Sequence, residues 1–153
     1  MGKYDTESNT INSSSDNYDS DFIDIDTSDA KEPAAVEPGE YKIRITGFRK
    51  DAEKKIVRTN PSTGNRYFIV TFDIPSEEFS KGLSNIFTLP TDEMDATQKN
   101  AVKWRLEVFK RAFNLTELKF DSMIGREGYA ILNKTFDEQY GEQNNITNFI
   151  AGA

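Results

Sequence analysis

The chain has 153 residues, 36% of them hydrophobic and 29% charged, and a formal net charge of −7; a chain of this length builds one core and one domain. It contains no cysteine and no histidine, which excludes disulfides, thiolate zinc sites, cysteine nucleophiles and Ser-His-Asp or Cys-His catalysis, and removes the commonest transition-metal ligand. No cofactor is implied, and without a signal-length apolar run or a stretch of ~20 apolar residues the expectation is a cytoplasmic protein rather than a membrane one.

Residues 1–37 carry ten acids against Lys3 and Lys31, a net −8, whereas 38–153 carry a net +1. The acidity is confined to a segment rich in Ser, Asn and Thr, with too few apolar residues to offset the entropy of ordering it. It is expected to be a disordered acidic tail, and Pro33 and Pro38-Gly39 mark its boundary with a domain spanning 38–153. Within the tail, Asp21-Phe22-Ile23-Asp24-Ile25-Asp26 embeds apolar residues among carboxylates. Such a run suits either plain solvation, docking on a basic-rimmed groove of a replication or recombination protein, or occupation of the domain's own anion site as a phosphate mimic.

From Glu40 the pattern alternates. Tyr41, Ile43 and Ile45 interleave with Lys42, Arg44 and Thr46, a half-buried strand with a basic outer row that Phe48, Arg49 and Lys50 extend. Residues 51–65 form a polar loop carrying Lys54, Lys55 and Arg58, and Asn60-Pro61-Ser62-Thr63-Gly64-Asn65 is a strong turn signal. The second strand covers Arg66 to Ile74, with Phe68, Val70, Phe72 and Ile74 inward and Tyr67, Ile69 and Thr71 outward; the third runs from about Leu83 to Leu89 and stops at Pro90. Asp92, Glu93 or Asp95 then caps a helix over roughly 95–113, whose apolar positions include Ala101, Trp104, Val108 and Ala112 along with Leu106 and Phe109. After a packed connector reaching Gly125, two strands at about 127–134 and 144–150 flank a turn containing Tyr140-Gly141.

Three strands, one helix and a strand hairpin make the element order of a mainly β, five-stranded OB-fold barrel with its helix between strands three and four. That architecture most often binds single-stranded nucleic acid or oligosaccharide. The domain also resembles the phage-type single-stranded DNA-binding OB proteins, a domain-of-unknown-function family of phage replication and recombination modules. The resemblance rests on Pro38-Gly39-Glu40-Tyr41, the Gly-containing loop before an apolar strand, Ile86-Phe87, Ile124-Gly125-Arg126-Glu127-Gly128 and Asn144-Asn145-Ile146-Thr147-Asn148-Phe149. At Phe113-Asn114-Leu115 the chain departs from the Ala-Gly common in that family. The resemblance implies a bacteriophage protein working in the host cytoplasm, protecting or organising single-stranded DNA.

Sequence-tolerant single-strand binding needs cations along the phosphate path and aromatic faces for bases, each stack contributing roughly 1–3 kcal/mol. Lys42, Arg44, Arg49, Lys50, Lys54, Lys55, Arg58 and Arg66 supply the charge, and Phe48, Tyr67, Phe136 and Tyr140 the rings. A basic outer row serves equally as a solvated face guarding a sheet edge. Strand and helix aromatics more often fill the core, which is where Phe68, Phe72, Phe87, Trp104 and Phe109 are expected. Two other functions compete: a nuclease built on Asp51, Glu53 and Lys55, which lack the flanking apolar strand such a site needs, and a protein-interaction module or nucleic-acid mimic acting through the tail.

Overall fold

The computed structural model describes residues 22–151, and the chain divides into two compact units, Met1–Lys31 and Glu32–Ala153. The expectation of disorder over residues 1–21 lies outside the described residues. In 22–31 the chain makes a single turn, with Ala30 N donating to Thr27 O and Ser28 N to Asp26 Oδ1, and Phe22, Ile23 and Ile25 are all exposed.

The second unit starts at Glu32, not at Pro38. It contains β1 (Gly39–Phe48), β2 (Arg58–Thr59), β3 (Arg66–Asp73), β4 (Leu83–Thr88), α1 (Ala96–Ala112), α2 (Phe120–Met123), β5 (Glu127–Asp137) and β6 (Gly141–Ile150). All ladders are antiparallel: β1 pairs with β3 and β5, β3 also with β2 and β4, and β5 with β6. The result is one sheet of six strands rather than five. The additional strand is β2, two residues of the long loop after β1 whose register sets Arg58 opposite Tyr67 and Thr59 opposite Arg66.

The sheet is not closed. Its terminal strands β4 and β6 share no ladder, although Phe87 and Phe149 bring their side chains together at a ring-centroid distance of 6.0 Å. One end of this seam is bridged by residues 34–36. Ala34 N and O bond Phe79 O and Lys81 N at 3.1 and 2.9 Å, and the Asn144 side chain bonds Val36 N and Val36 O, both at 2.8 Å. Val36 is thereby buried, which is why the tail boundary falls earlier than its prolines suggest. The other end is filled by α1, whose Phe109 ring lies 4.6 Å from Phe87 and 5.5 Å from Phe149.

Helix α1 begins at a capping box: Gln98 N donates to the Asp95 carboxylate at 2.8 Å, and Asp95 N donates to the Gln98 side chain at 3.2 Å. Each bond satisfies a backbone N–H that a helix start leaves unpaired. The helix ends at Ala112, and Asn114 has φ 56, the left-handed conformation asparagine tolerates. Its buried residues are Val102, Leu106, Phe109 and Ala112. This corrects the expectation for Trp104, which is 54% exposed: the buried stripe starts at Val102 and not at Ala101, and that step of about 100° turns Trp104 out of the core.

The inward row of β3 is the expected one, with Phe68, Val70, Phe72 and Ile74 all buried in one cluster with Ile43 and Ile45. Close packing also fixes Gly128. A Cβ there would stand 2.5 Å from Ala112 O, so only glycine lets β5 pass the end of α1. Among the described residues no helix is long and apolar enough to cross a membrane.

Candidate nucleic-acid interface

The residues expected to bind nucleic acid fall into three places. Most of them gather at the end of the sheet where β1 leaves and β3 begins. There the stretch 49–66 carries Arg49, Lys50, Lys54, Lys55, Arg58 and Arg66 against Asp51 and Glu53, a net +4. The β2–β3 ladder holds this loop against the sheet and brings the Arg58 guanidinium to 5.7 Å from the Tyr67 ring centroid, a cation–π arrangement. Tyr67 starts the outward row of β3, and its neighbours on that face are Ile69 and, across the ladder, Thr88 and the exposed Ile86.

Asp51 organises the loop. Its Oδ1 accepts the N–H groups of Glu53 and Lys55, each at 2.9 Å, while Lys54 N donates to Asp51 O at 2.9 Å and Lys54 adopts φ 66. These bonds, led by that from Lys55, hold the carboxyl below the usual carboxylate range. A lowered folded value means that the turn is held at neutral pH and released as pH falls through that value. Asp51 therefore has a structural task, and Lys55 Nζ meets Glu53 at 3.6 Å on the exposed surface; among the described residues no group of three acids is placed to hold a metal.

Phe48 is not an open stacking face. Its ring packs against Phe120 at 4.9 Å and Phe68 at 6.4 Å. A β-bulge between Ile45 and Gly47 shifts the register, so that Phe48 pairs with Val70 and faces inward with it. Strict alternation places it outside; the extra residue reverses that. Below it lies a cleft of ≈690 Å³ that Ile56, Leu118 and Ile124 line with Phe48, Lys50 and Lys119.

Lys42 and Arg44 lie farther along β1, on the outer face and already in contact with acids. Arg44 makes a two-pronged pair with Asp73, Nε to Oδ1 at 3.1 Å and Nη2 to Oδ2 at 2.6 Å, which raises its pKa. Lys42 Nζ is 3.7 Å from Glu127 and 5.9 Å from the Tyr129 ring centroid. Tyr129, 46% exposed, is an outer-face aromatic that alternation along 127–131 would have flagged.

Phe136 and Tyr140 sit at the tip of the β5–β6 hairpin, beyond the start of β1, at the opposite end of β1 from the loop. Lys81 Nζ pins this tip by donating to Tyr140 O at 3.0 Å and Glu142 O at 2.6 Å. Both rings are exposed, Phe136 at 73%. Nearby Lys134 is held between Glu37 and Glu142 and its pKa is raised, chiefly by the hydrogen bond to Glu37.

The structure thus unites Arg49, Lys50, Lys54, Lys55, Arg58, Arg66 and Tyr67, and separates them from Phe136 and Tyr140. Compared with known proteins, the chain matches no family model and no curated sequence.

Proposed function

We propose that the chain is a non-enzymatic single-stranded DNA-binding protein whose domain is an OB-type barrel opened along one seam, of the kind used in phage replication and recombination. The barrel reading is supported by β1 pairing on both edges and by the approach of β4 and β6 through Phe87 and Phe149. The observation that carries the function is the union of a net +4 loop with the Arg58–Tyr67 pair on the outer row of β3. Loop cations contact phosphates in succession, and the tyrosine offers a base the flat partner that duplex DNA denies it.

Salt dependence tests this directly. With about four phosphates neutralised, log K falls with log salt at a slope of about −3, so affinity for oligothymidylate drops about 50-fold between ~50 and ~200 mM salt. Fluorescence anisotropy of a labelled oligonucleotide measures it; absent or salt-independent binding contradicts the proposal.

Residues 1–31 hold Asp5, Glu7, Asp16, Asp19, Asp21, Asp24, Asp26 and Asp29 against Lys3 and Lys31, a net −6. Deleting them while keeping 32–37, which bridge the seam, is expected to strengthen DNA binding several-fold at low salt. The gain fades as the Debye length contracts from about 10 Å at 0.1 M to about 3 Å at 1 M. Unchanged affinity would instead assign this segment to partner docking, a role favoured by the exposure of Phe22, Ile23 and Ile25. Weaker binding by the folded truncation contradicts both roles.

A further inference from the structure

A second group of cations lies on α1, where Lys99, Lys103, Arg105, Lys110 and Arg111 stand against Glu107 within the helix, a net +4 over Ala96–Ala112. Lys99 pairs with Asp92, and Lys110 and Arg111 with Glu107. Lys103 and Arg105 have no ion-pair partner among the described residues. Between them in sequence is Trp104, the only tryptophan of the chain, exposed and with the Arg111 guanidinium 5.2 Å from its ring centroid.

Arg105 joins this group to the loop. Arg105 lines a groove of ≈440 Å³ with Thr63 and Asn65 of the loop and Thr88 at the end of β4, where Glu93 is the one acid. It also lines a second groove of ≈480 Å³ along the open seam, with Asn85, Ile86, Trp104 and Asn148. Ile86 in turn lies on the outer face that begins at Tyr67. Tyr67, Ile86, Arg105 and Trp104 therefore follow one another from the start of β3, over the edge of β4, to the helix.

Resting on the function proposed above, we infer that single-stranded nucleic acid continues across the β4 edge into the seam and stacks a base on Trp104, with Arg105 at the adjoining phosphate. Positive charge favours this occupant over an apolar peptide adding a strand to β4 or β6. The side-chain amides of Asn85 and Asn148 offer donors and acceptors to base edges without selecting one sequence.

Trp104 reports on its own occupancy. Oligothymidylate is titrated into the full chain while Trp104 emission and the anisotropy of a labelled oligonucleotide are followed in parallel. The expected result is Trp104 quenching that saturates with the anisotropy change. Trp104→Ala is expected to weaken binding about tenfold, whereas Trp104→Phe stays within about threefold of the parent because a ring remains. Arg105→Ala is expected to make the salt slope shallower by about 0.7, the loss of one phosphate contact. Circular dichroism confirms that each variant is folded. Anisotropy-detected binding without quenching, and with unchanged affinity in Trp104→Ala, overturns the seam site while leaving single-strand binding intact. No binding by either signal overturns both. Trp104 emission that shifts with protein concentration alone, together with a dimer in sedimentation, shows a second copy covering the seam and overturns the inference.

Discussion

Phe109→Ala is expected to destabilise the domain by about 3–5 kcal/mol, the range for deleting a buried phenyl ring. Phe109 is fully buried and its ring meets Phe72, Phe87, Phe113 and Phe149 at centroid distances of 6.4, 4.6, 5.1 and 5.5 Å. No backbone ladder joins β4 to β6, so these rings hold the end of the seam that residues 34–36 do not bridge, and the cavity left by alanine lies where no β4–β6 hydrogen bonds resist opening. Urea denaturation should show the midpoint falling sharply with little change in slope. Trp104→Ala at an exposed position of the same helix should stay within about 0.5 kcal/mol of the parent. Equal effects of the two would mean that α1 does not close the seam.

Replacing Lys54, Lys55 and Arg58 together by alanine is expected to lower single-strand affinity at least tenfold at about 50 mM salt and to make the salt slope shallower by about 2, from three lost phosphate contacts. Stability should scarcely change. The Lys55–Glu53 pair is solvent-exposed, and exposed pairs contribute little; Asp51 organises the turn through backbone N–H groups that survive the substitutions. Anisotropy and thermal denaturation on the same samples separate the two effects. A triple variant that keeps the parent affinity moves the interface away from the loop.

The strands and α1 were legible because each repeats a short-range pattern. The β3 row Phe68, Val70, Phe72 and Ile74 follows a period of two, and the Asp95–Gln98 box marks the helix start by residue type alone. Phe48 was not legible, because a one-residue bulge reverses alternation and depends on how β1 pairs with β3, a long-range fact. Trp104 failed for a related reason: Ala101, Trp104 and Val108 keep helical spacing as well as Val102, Leu106 and Phe109 do, and only packing against β4 and β6 chooses between the two stripes. The loop cations stand out by their local charge density. The cations of α1 do not stand out as a cluster because they are spread along 17 residues, and only the packing of the helix over the seam sets Arg105 beside Asn85 and Asn148.

In the proposed function Tyr67 and its surrounding cations engage bases as well as phosphates. Competition measures it most directly: a labelled oligothymidylate bound to the full chain is displaced, at one fixed salt concentration, by an unlabelled single strand of mixed sequence or by its duplex. The single strand is expected to compete at least tenfold more effectively than the duplex, since stacking adds roughly 1–3 kcal/mol per unpaired base. Equal competition by the two would contradict it, and would reduce the surface to a general polyanion binder.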